Sequence, residues 1–142
     1  GDHACRDLSA ALANDACPLR RIDLAHNDKI QPSSAAKIAD GAGRSRIHTL
    51  RLTGATLKAA GGRALGACVL AKRRDGEALT TLDLAGCQLG DTGIAALCGQ
   101  LESASPAHLA VLSLRGNAIG YEGATALAKW LASSGADALR SL

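Results

Sequence analysis

The stretch LTTLDLAGCQLGDTG, residues 79–93, contains the pattern that decides the fold. Aliphatic residues stand at Leu79, Leu82 and Leu84, and the small residue Cys87 follows after two further positions. The same pattern begins at residues 19, 47 and 109, and an incomplete copy begins at residue 139. Successive copies therefore start 28, 32, 30 and 30 residues apart, and a regular period of this length indicates a stacked repeat protein.

Each copy joins a strand signal to a helix signal. Leu82 and Leu84 alternate with variable residues, so both point to one face of a short strand. Spacings of three and four then predict an amphipathic helix with the inner stripe Gly93, Ile94, Leu97, Cys98 and Leu101. The predicted fold class is α/β: a right-handed α/β solenoid with a parallel sheet on the concave face and helices on the convex face.

The other copies contain similar helical stripes. They are Ala35, Ile38 and Ala39; Gly61, Ala64, Leu65, Cys68 and Val69; and Gly123, Ala124, Leu127 and Leu131. We predict a single domain over residues 1–142, with a helical half-repeat at 1–18, repeats starting at 19, 47, 79 and 109, and a truncated repeat from 139. We expect a fragment of a longer protein, whose terminal strand is either an exposed edge or continues into a further repeat.

The position after each strand predicts how the turns are held. Asn27, Ala55, Cys87 and Asn117 occupy it, and a polar side chain there is expected to lie inside and to hydrogen-bond the loop backbone. Since Ala55 has no polar atom in its side chain, we expect the second repeat to be the irregular one.

The amino-acid composition narrows the class of partner. The net charge of +3 is too small to indicate nucleic acid, and no basic stripe is interleaved with aromatic residues. Apolar runs fall well short of the roughly 18 to 20 residues that span a bilayer, so we predict no membrane insertion. Five scattered cysteines without a Cys-x-x-Cys pair favour a reduced, cytoplasmic protein.

The strand–helix copies resemble the ribonuclease-inhibitor-like subclass of leucine-rich repeats over residues 19–142. Its members bind other proteins, and they include activators of Ran-type GTPases and actin regulators. A second resemblance concerns Asn14-Asp15, Leu19-Arg20-Arg21-Ile22-Asp23-Leu24 and Asn27-Asp28-Lys29-Ile30-Gln31-Pro32, which look like the first repeat of tropomodulin and leiomodin. These resemblances imply a protein-interaction module, with actin as one possible partner and a small GTPase as another.

The variable strand positions are the candidate contact surface. They point away from the core at Arg21, Asp23, Thr49, Arg51, Thr81, Asp83 and Ser113, and Arg115 follows at the rim. Asp23, Arg51 and Asp83 would lie on adjacent strands about 4.8 Å apart, close enough for a ladder of ion pairs. Such a row either keeps an exposed sheet soluble or forms a recognition stripe for a partner.

Two further features have alternative interpretations. The run Lys72-Arg73-Arg74, beside Asp75 and Glu77, is either a solvated loop or a contact for an acidic or phosphate-bearing surface. Trp130 is predicted on the outer face or edge of the last helix, where it would pack against a following repeat or anchor a partner.

No catalytic, cofactor or metal motif is present in the sequence. His26 and His48 lie near strand ends close to Asp23 and Asp28, but no metal-ligand spacing, nucleophile elbow or phosphate loop accompanies them. We therefore predict a non-enzymatic protein-binding module without a cofactor or a metal. The sequence names neither the partner nor the oligomeric state.

Overall fold

The computed structural model describes residues 2–71, 76, 78–102 and 108–142. Within these residues the chain alternates helix and strand and then ends in a short 3₁₀ turn at Ser134–Ala136. The five helices are α1 (Asp2–Leu12), α2 (Pro32–Gly43), α3 (Lys58–Leu70), α4 (Gly90–Glu102) and α5 (Tyr121–Leu131). The four strands are β1 (Arg21–Asp23), β2 (Thr49–Arg51), β3 (Thr81–Asp83) and β4 (Val111–Ser113).

The four strands form one parallel sheet in sequence order, β1-β2-β3-β4, as the repeat predicts. The register follows the repeat without slippage: Ile22 lies opposite Leu50, Leu50 opposite Leu82, and Leu82 opposite Leu112. Ser141, in the incomplete copy, forms a parallel bridge with Val111, and its carbonyl accepts the N–H of Leu112 at 3.0 Å. The pairing therefore extends by one step beyond β4.

The core consists of the central strand residues and the inner faces of the helices. Ile22, Leu50, Leu82 and Leu112 are all buried, whereas the residues on either side of each are exposed or half-buried. Each helix packs against the next one along the chain, from α1 on α2 to α4 on α5. Thin layers of Leu, Ile and Ala thus fill the interior repeat by repeat, as in a stacked repeat protein.

The predicted helical stripes are confirmed in α2 and α4. In α4 the buried residues are Gly93, Ile94, Leu97, Cys98 and Leu101, and in α2 they include Ala35, Ile38 and Ala39. In α3 the predicted stripe is buried except for Ala64, which is half-buried. A spacing of three and four therefore identifies the inner face wherever a repeat has neighbours on both sides.

The prediction for α5 is wrong in part. Ala124 is exposed and Leu131 keeps 43% of its surface exposed, whereas Trp130 is fully buried in the core. The helix turns the large indole inward, so its inner stripe begins at Gly123 and ends at Trp130. Because Trp130 packs inside, its predicted position on the outer face and its role as a surface anchor are also wrong.

The irregularity expected in the second repeat is confined to its turn. Strand β2 keeps its register with both neighbours, and Ala55 is completely buried. Gln88 and Ala118 adopt φ of 55° and 51° directly after the equivalent position in the next two repeats, whereas Thr56 has no positive φ. Lys58 adopts φ of 52°, as Gly90 does at the equivalent place in the third repeat with 60°. The turn after Ala55 therefore differs from the next two at the residue that follows it, and the sheet is intact.

Two sequence predictions depend on which residues the structure describes. The charged segment with Lys72, Arg73 and Arg74 lies outside them. Among the helices that are described, none has both the length and the apolar character needed to cross a membrane.

Candidate functional site

The exposed and half-buried residues of the four strands lie on one side of the sheet, which we call the strand face. They are Arg21 and Asp23 on β1, Thr49 and Arg51 on β2, Thr81 and Asp83 on β3, and Val111 and Ser113 on β4. They alternate with the buried central residues because successive side chains of a strand point to opposite sides. The parallel register aligns them in two rows across the sheet.

Three charged side chains in one row form the predicted ladder of ion pairs. Arg51 Nη1 lies 2.7 Å from Asp23 Oδ2, and Arg51 Nε lies 3.1 Å from Asp83 Oδ2. Arg51 thus donates from two different nitrogens to carboxylates on the strands on either side. Arg21 adds a longer contact, with its Nη2 at 3.6 Å from the same Asp23 oxygen.

Both carboxylates are also fixed by the backbone of their own turns. Asp23 Oδ1 accepts the N–H of Ala25 at 3.1 Å, and Asp83 Oδ1 accepts the N–H of Ala85 at 3.1 Å. One oxygen of each aspartate therefore binds the turn while the other binds Arg51. A charged side chain held at both oxygens loses little further freedom when a partner binds.

These contacts keep all three groups charged. The N–H of Ala25 is the main cause that lowers the pKa of Asp23, and the charge of Arg51 lowers it further. Partial burial acts to raise the pKa of Asp83, but the N–H of Ala85 and the guanidinium of Arg51 outweigh it, so this pKa is also lowered. The hydrogen bond to Asp83 and the charge of Asp23 raise the pKa of Arg51 in turn.

The remaining predicted residues lie beside this ladder and do not join it. Thr49 and Thr81 form the second row next to Arg21, and Ser113 lies in register with Asp83 on the neighbouring strand. Arg115 is exposed in the turn after β4, where its carbonyl accepts the N–H of Gly86 at 2.7 Å. The strand face thus has a charged half on β1–β3 and a neutral half towards β4.

In the third and fourth repeats the turns at the rim are held by the side chains predicted for that purpose, but Asn27, predicted to lie inside, is exposed. Asn117 is almost completely buried and donates to the carbonyls of Leu84 and Leu114 at 2.7 and 2.8 Å. Its Oδ1 accepts the N–H groups of Cys87 and Leu89 at 2.9 and 3.2 Å. Three of these four bonds cross to the preceding repeat, so a single amide joins two successive repeats.

Two further side chains connect neighbouring repeats, and the inward position of the first of them, Cys87, was predicted. The Cys87 thiol donates to the carbonyl of Leu52 at 3.1 Å, taking the role that the amide of Asn117 has one repeat later. Sequence reasoning did not connect Asp91 with the next repeat, but its Oδ1 accepts the N–H of Gly120, just before α5, at 2.6 Å. In both bonds the donor and the acceptor stand about one repeat apart in the sequence, and this spacing is the signal that could have indicated them.

The described residues contain no group of three or more His, Cys, Asp or Glu side chains that could hold a metal ion. None of the five cysteines forms a disulfide. Burial raises the pKa of Cys87 to about 11 and that of Cys98 to about 12. Both thiols therefore stay protonated at neutral pH, where only the thiolate would act as a nucleophile or a metal ligand.

Comparison with known families finds leucine-rich repeats at three places in this chain. The family model described as a leucine-rich repeat matches residues 16–39, 78–98 and 105–128. No curated protein matches the sequence. The three matched stretches fall on the copies that carry Asn27, Cys87 and Asn117, whereas the copy with Ala55 lies outside them. Repeats of this family generally serve as non-enzymatic modules that bind other proteins.

Proposed function

We propose that the chain is a non-enzymatic protein–protein interaction module that binds a partner protein through the strand face and its rim. In this proposal the repeats form a right-handed solenoid of the ribonuclease-inhibitor-like subclass, with the sheet on the concave side and the helices on the convex side. Parallel strands joined by helical crossovers are right-handed in nearly all known cases, which supports the assigned hand.

The observation that carries the proposal is the fixed ladder Asp23–Arg51–Asp83. An exposed sheet that needs only solubility requires charge, but it does not require charges held by several hydrogen bonds each. Here Arg51 binds two carboxylates, and each carboxylate also binds its own turn. A surface whose side chains are already ordered avoids much of the entropy cost of binding, which favours recognition over simple solvation.

The division of the strand face suggests where a partner would make its contacts. On the charged half, a partner would place donors near Asp23 and Asp83 and an acceptor near Arg21, whose side chain is 63% exposed. On the neutral half, Thr81, Val111 and Ser113 offer a small, weakly polar surface that a larger side chain of the partner can cover. Arg115 lies at the edge of this half.

A variant in which every charge of the ladder is reversed distinguishes a role in partner recognition from a role in solubility. The triple variant Asp23→Arg, Arg51→Asp, Asp83→Arg keeps alternating charges on adjacent strands, but it reverses every charge that a partner meets. A partner would first be captured from native lysate with residues 1–142 and identified, and its affinity for both proteins would then be measured by calorimetry. We expect an affinity loss of about 100-fold or more, since like charges across an interface are strongly unfavourable.

The matched control reverses an ion pair away from the strand face. Lys129 Nζ lies 2.9 Å from Glu102 Oε2, so the double variant Glu102→Lys, Lys129→Glu changes charges between α4 and α5. This control is expected to bind the partner as the unmodified protein does. Unchanged affinity in the ladder variant, with an unchanged melting temperature, would refute binding through the strand face.

We also propose a cytoplasmic location. Cys68, Cys87 and Cys98 are buried without forming disulfides, and Cys5 and Cys17 are half-buried free thiols. A chain that relies on five reduced thiols suits a reducing compartment. Mass spectrometry of the native protein, alkylated at the moment of lysis, is expected to find five free thiols; a disulfide between any two of them would contradict this location.

An actin-regulating role is the second candidate, and one observation favours it. Pro32 opens α2 directly after the turn of the first repeat, which is the feature that this repeat shares with tropomodulin-like sequences. A pyrene-actin assay would show slowed growth at the pointed end if this role is correct. Regulation of a small GTPase stays a sequence prediction.

A further inference from the structure

Strand β1 pairs with β2 along one edge, and no strand among the described residues covers its other edge. Its inner edge is the one where the N–H of Leu24 donates to the carbonyl of Arg51 at 2.9 Å. Backbone groups of alternate residues in a strand point to opposite edges, so the N–H and carbonyl groups of Arg21 and Asp23 point outward. Within the described part of the chain, none of these four groups has a backbone partner.

Side chains of the first repeat are also less covered than their equivalents in later repeats. Leu19 keeps 45% of its surface exposed, whereas Ile47 and Leu79, at the same place in the next two repeats, are completely buried. Arg21 and Asp23 are exposed, while the equivalent residues of β2, β3 and β4 are half-buried. The edge of β1 is therefore open both at its backbone and at a large aliphatic side chain. An open edge of this kind is a template for pairing with a further strand.

The ladder of ion pairs indicates which charge a strand at this edge would carry. From β3 to β1 its members alternate in sign as Asp83, Arg51 and Asp23, each in register with the next. Asp23 pairs closely with Arg51, but its contact with Arg21 of its own strand is 3.6 Å long, and the side chain of Arg21 is 63% exposed. A cation on a strand outside β1 continues the alternation and can replace this long contact, whereas an anion there would face a carboxylate.

We infer that the open edge of β1 binds an extended segment of the partner protein, which adds to the sheet as a further parallel strand. This inference rests on the proposed binding through the strand face, and it names the part of the partner that makes the contact. The segment places a lysine or an arginine in register with Asp23 and aliphatic residues in register with Leu19 and Ile22. Main-chain hydrogen bonds supply the affinity and these side chains supply the specificity, which is the usual division in β-strand addition.

A peptide with the sequence of residues 46–53 is a suitable probe, because it carries this pattern of aliphatic residues around Arg51. In the matched probe a glutamate replaces that arginine. Hydrogen exchange of single N–H groups in the full chain is followed by NMR. We expect the arginine probe to slow exchange at Arg21 and Asp23, whose N–H groups are open in the free protein. Exchange at Leu24, which already donates to β2, is expected to stay as it is.

Two substitutions separate the backbone contact from the charge. Arg21→Pro removes one outward N–H, which an edge strand tolerates, whereas Arg21→Ala removes the same side chain and keeps the N–H. We expect the arginine probe to bind the proline variant about tenfold more weakly than the alanine variant. Asp23→Asn keeps an oxygen for the N–H of Ala25 and is expected to reduce the preference for arginine over glutamate about two- to fivefold. Melting temperatures confirm that each variant folds.

The charge-reversed ladder variant gives an independent check, because it is expected to prefer the glutamate probe. Several results would overturn the inference. They are unchanged exchange at Arg21 and Asp23 with excess probe, equal affinity of the two probes, and equal affinity of the folded Arg21→Pro and Arg21→Ala variants. Protection of the same N–H groups that rises with protein concentration alone would assign the edge to a second copy of this chain.

Failure of this inference can be told apart from failure of the proposed function. A captured partner that binds Arg21→Pro and Arg21→Ala equally, but loses affinity for the ladder variant, would refute the edge alone and leave recognition by the strand face standing. A partner that binds the ladder variant as tightly as the unmodified protein would refute both.

Discussion

At the scale of single residues, Asn117 shows how one buried polar side chain joins two repeats. Its four hydrogen bonds satisfy backbone groups of two repeats that are buried away from water. Asn27 occupies the same place in the first repeat, but it is exposed and donates only to Leu24 and Ala25 of its own repeat. Replacement of the asparagine is therefore expected to cost much more stability at Asn117 than at Asn27.

We predict that Asn117→Ala lowers the free energy of unfolding by about 3 kcal/mol or more, because buried donors and acceptors are left without partners. The matched variant Asn27→Ala is expected to cost less than about 1 kcal/mol, since water can replace its bonds. Urea denaturation of both variants measures the difference. Equal losses would show that the buried amide does not join the repeats.

The buried thiols make the free energy of unfolding depend on pH in the alkaline range. The pKa of Cys87 is about 11 and that of Cys98 about 12, above the ordinary value, because burial disfavours the thiolate. A raised folded-state pKa stabilises the fold fully below the unfolded pKa of about 8.5, and this stabilisation is lost as the pH rises towards the folded-state values. We therefore expect the free energy of unfolding to fall between about pH 8.5 and 11.

The same burial predicts the order of chemical modification. Iodoacetamide at pH 8 is expected to modify the half-buried Cys5 and Cys17 well before Cys87 and Cys98. Peptide mass spectrometry over a time course measures the order in which the cysteines are alkylated. In the variant Cys98→Ala the alkaline fall in stability should be smaller; an identical fall would assign it to other groups.

The ladder residues could be predicted from the sequence because their positions follow from two simple rules. Alternation along each strand sends Asp23, Arg51 and Asp83 to the exposed face, and the repeat period fixes their register. Their attachment to the N–H groups of Ala25 and Ala85 could not be predicted, because it depends on how each turn bends. The hydrogen bond from each carboxylate to its own turn is therefore seen only in the structure.

At the scale of elements, the spacing between helices is controlled by a few glycines. Gly123, in the first turn of α5, lies against Asp91 at the start of α4, and a Cβ there would come 2.6 Å from Asp91 Oδ1. The same oxygen accepts the N–H of Gly120, so it cannot move without losing a hydrogen bond. Close approach of α5 to α4 thus requires that residue 123 has no side chain.

We predict that Gly123→Ala destabilises the protein by about 1 to 3 kcal/mol through overpacking. The matched control is Gly99→Ala in α4, where an added Cβ meets nothing within 4 Å. This control is expected to stabilise by about 0.5 to 1 kcal/mol, because alanine is the better helix former. Thermal unfolding of the two variants tests the contrast, and a stabilising Gly123→Ala would contradict it.

The inner face of α5 shows why element-scale predictions failed at one end of the chain. Small and aliphatic residues occur on more than one side of this helix, so the spacing alone allowed a stripe through Ala124 and Leu131. The volume of Trp130 settles the choice, because the indole is the largest group available to fill the core beside α4. Its depth does not follow from periodicity, since it depends on contacts between elements.

At the scale of the whole molecule, the stacked repeats produce two surfaces of different chemistry. The strand face balances Arg21 and Arg51 against Asp23 and Asp83, whereas α3 carries Lys58 and Arg63 and no acidic residue. Since each repeat contacts only its neighbours, a change on one surface is expected to leave the other intact. This independence is what allows a variant of the helix side to serve as a control for the strand face.

The pairing of the central strand residues tests the central claim most directly, because both surfaces exist only if the repeats stack in sequence order. Long-range nuclear Overhauser effects in the full chain measure it. We predict parallel contacts between Ile22 and Leu50, between Leu50 and Leu82, and between Leu82 and Leu112, with none between Ile22 and Leu112. An antiparallel pattern, or a contact between Ile22 and Leu112, would contradict it.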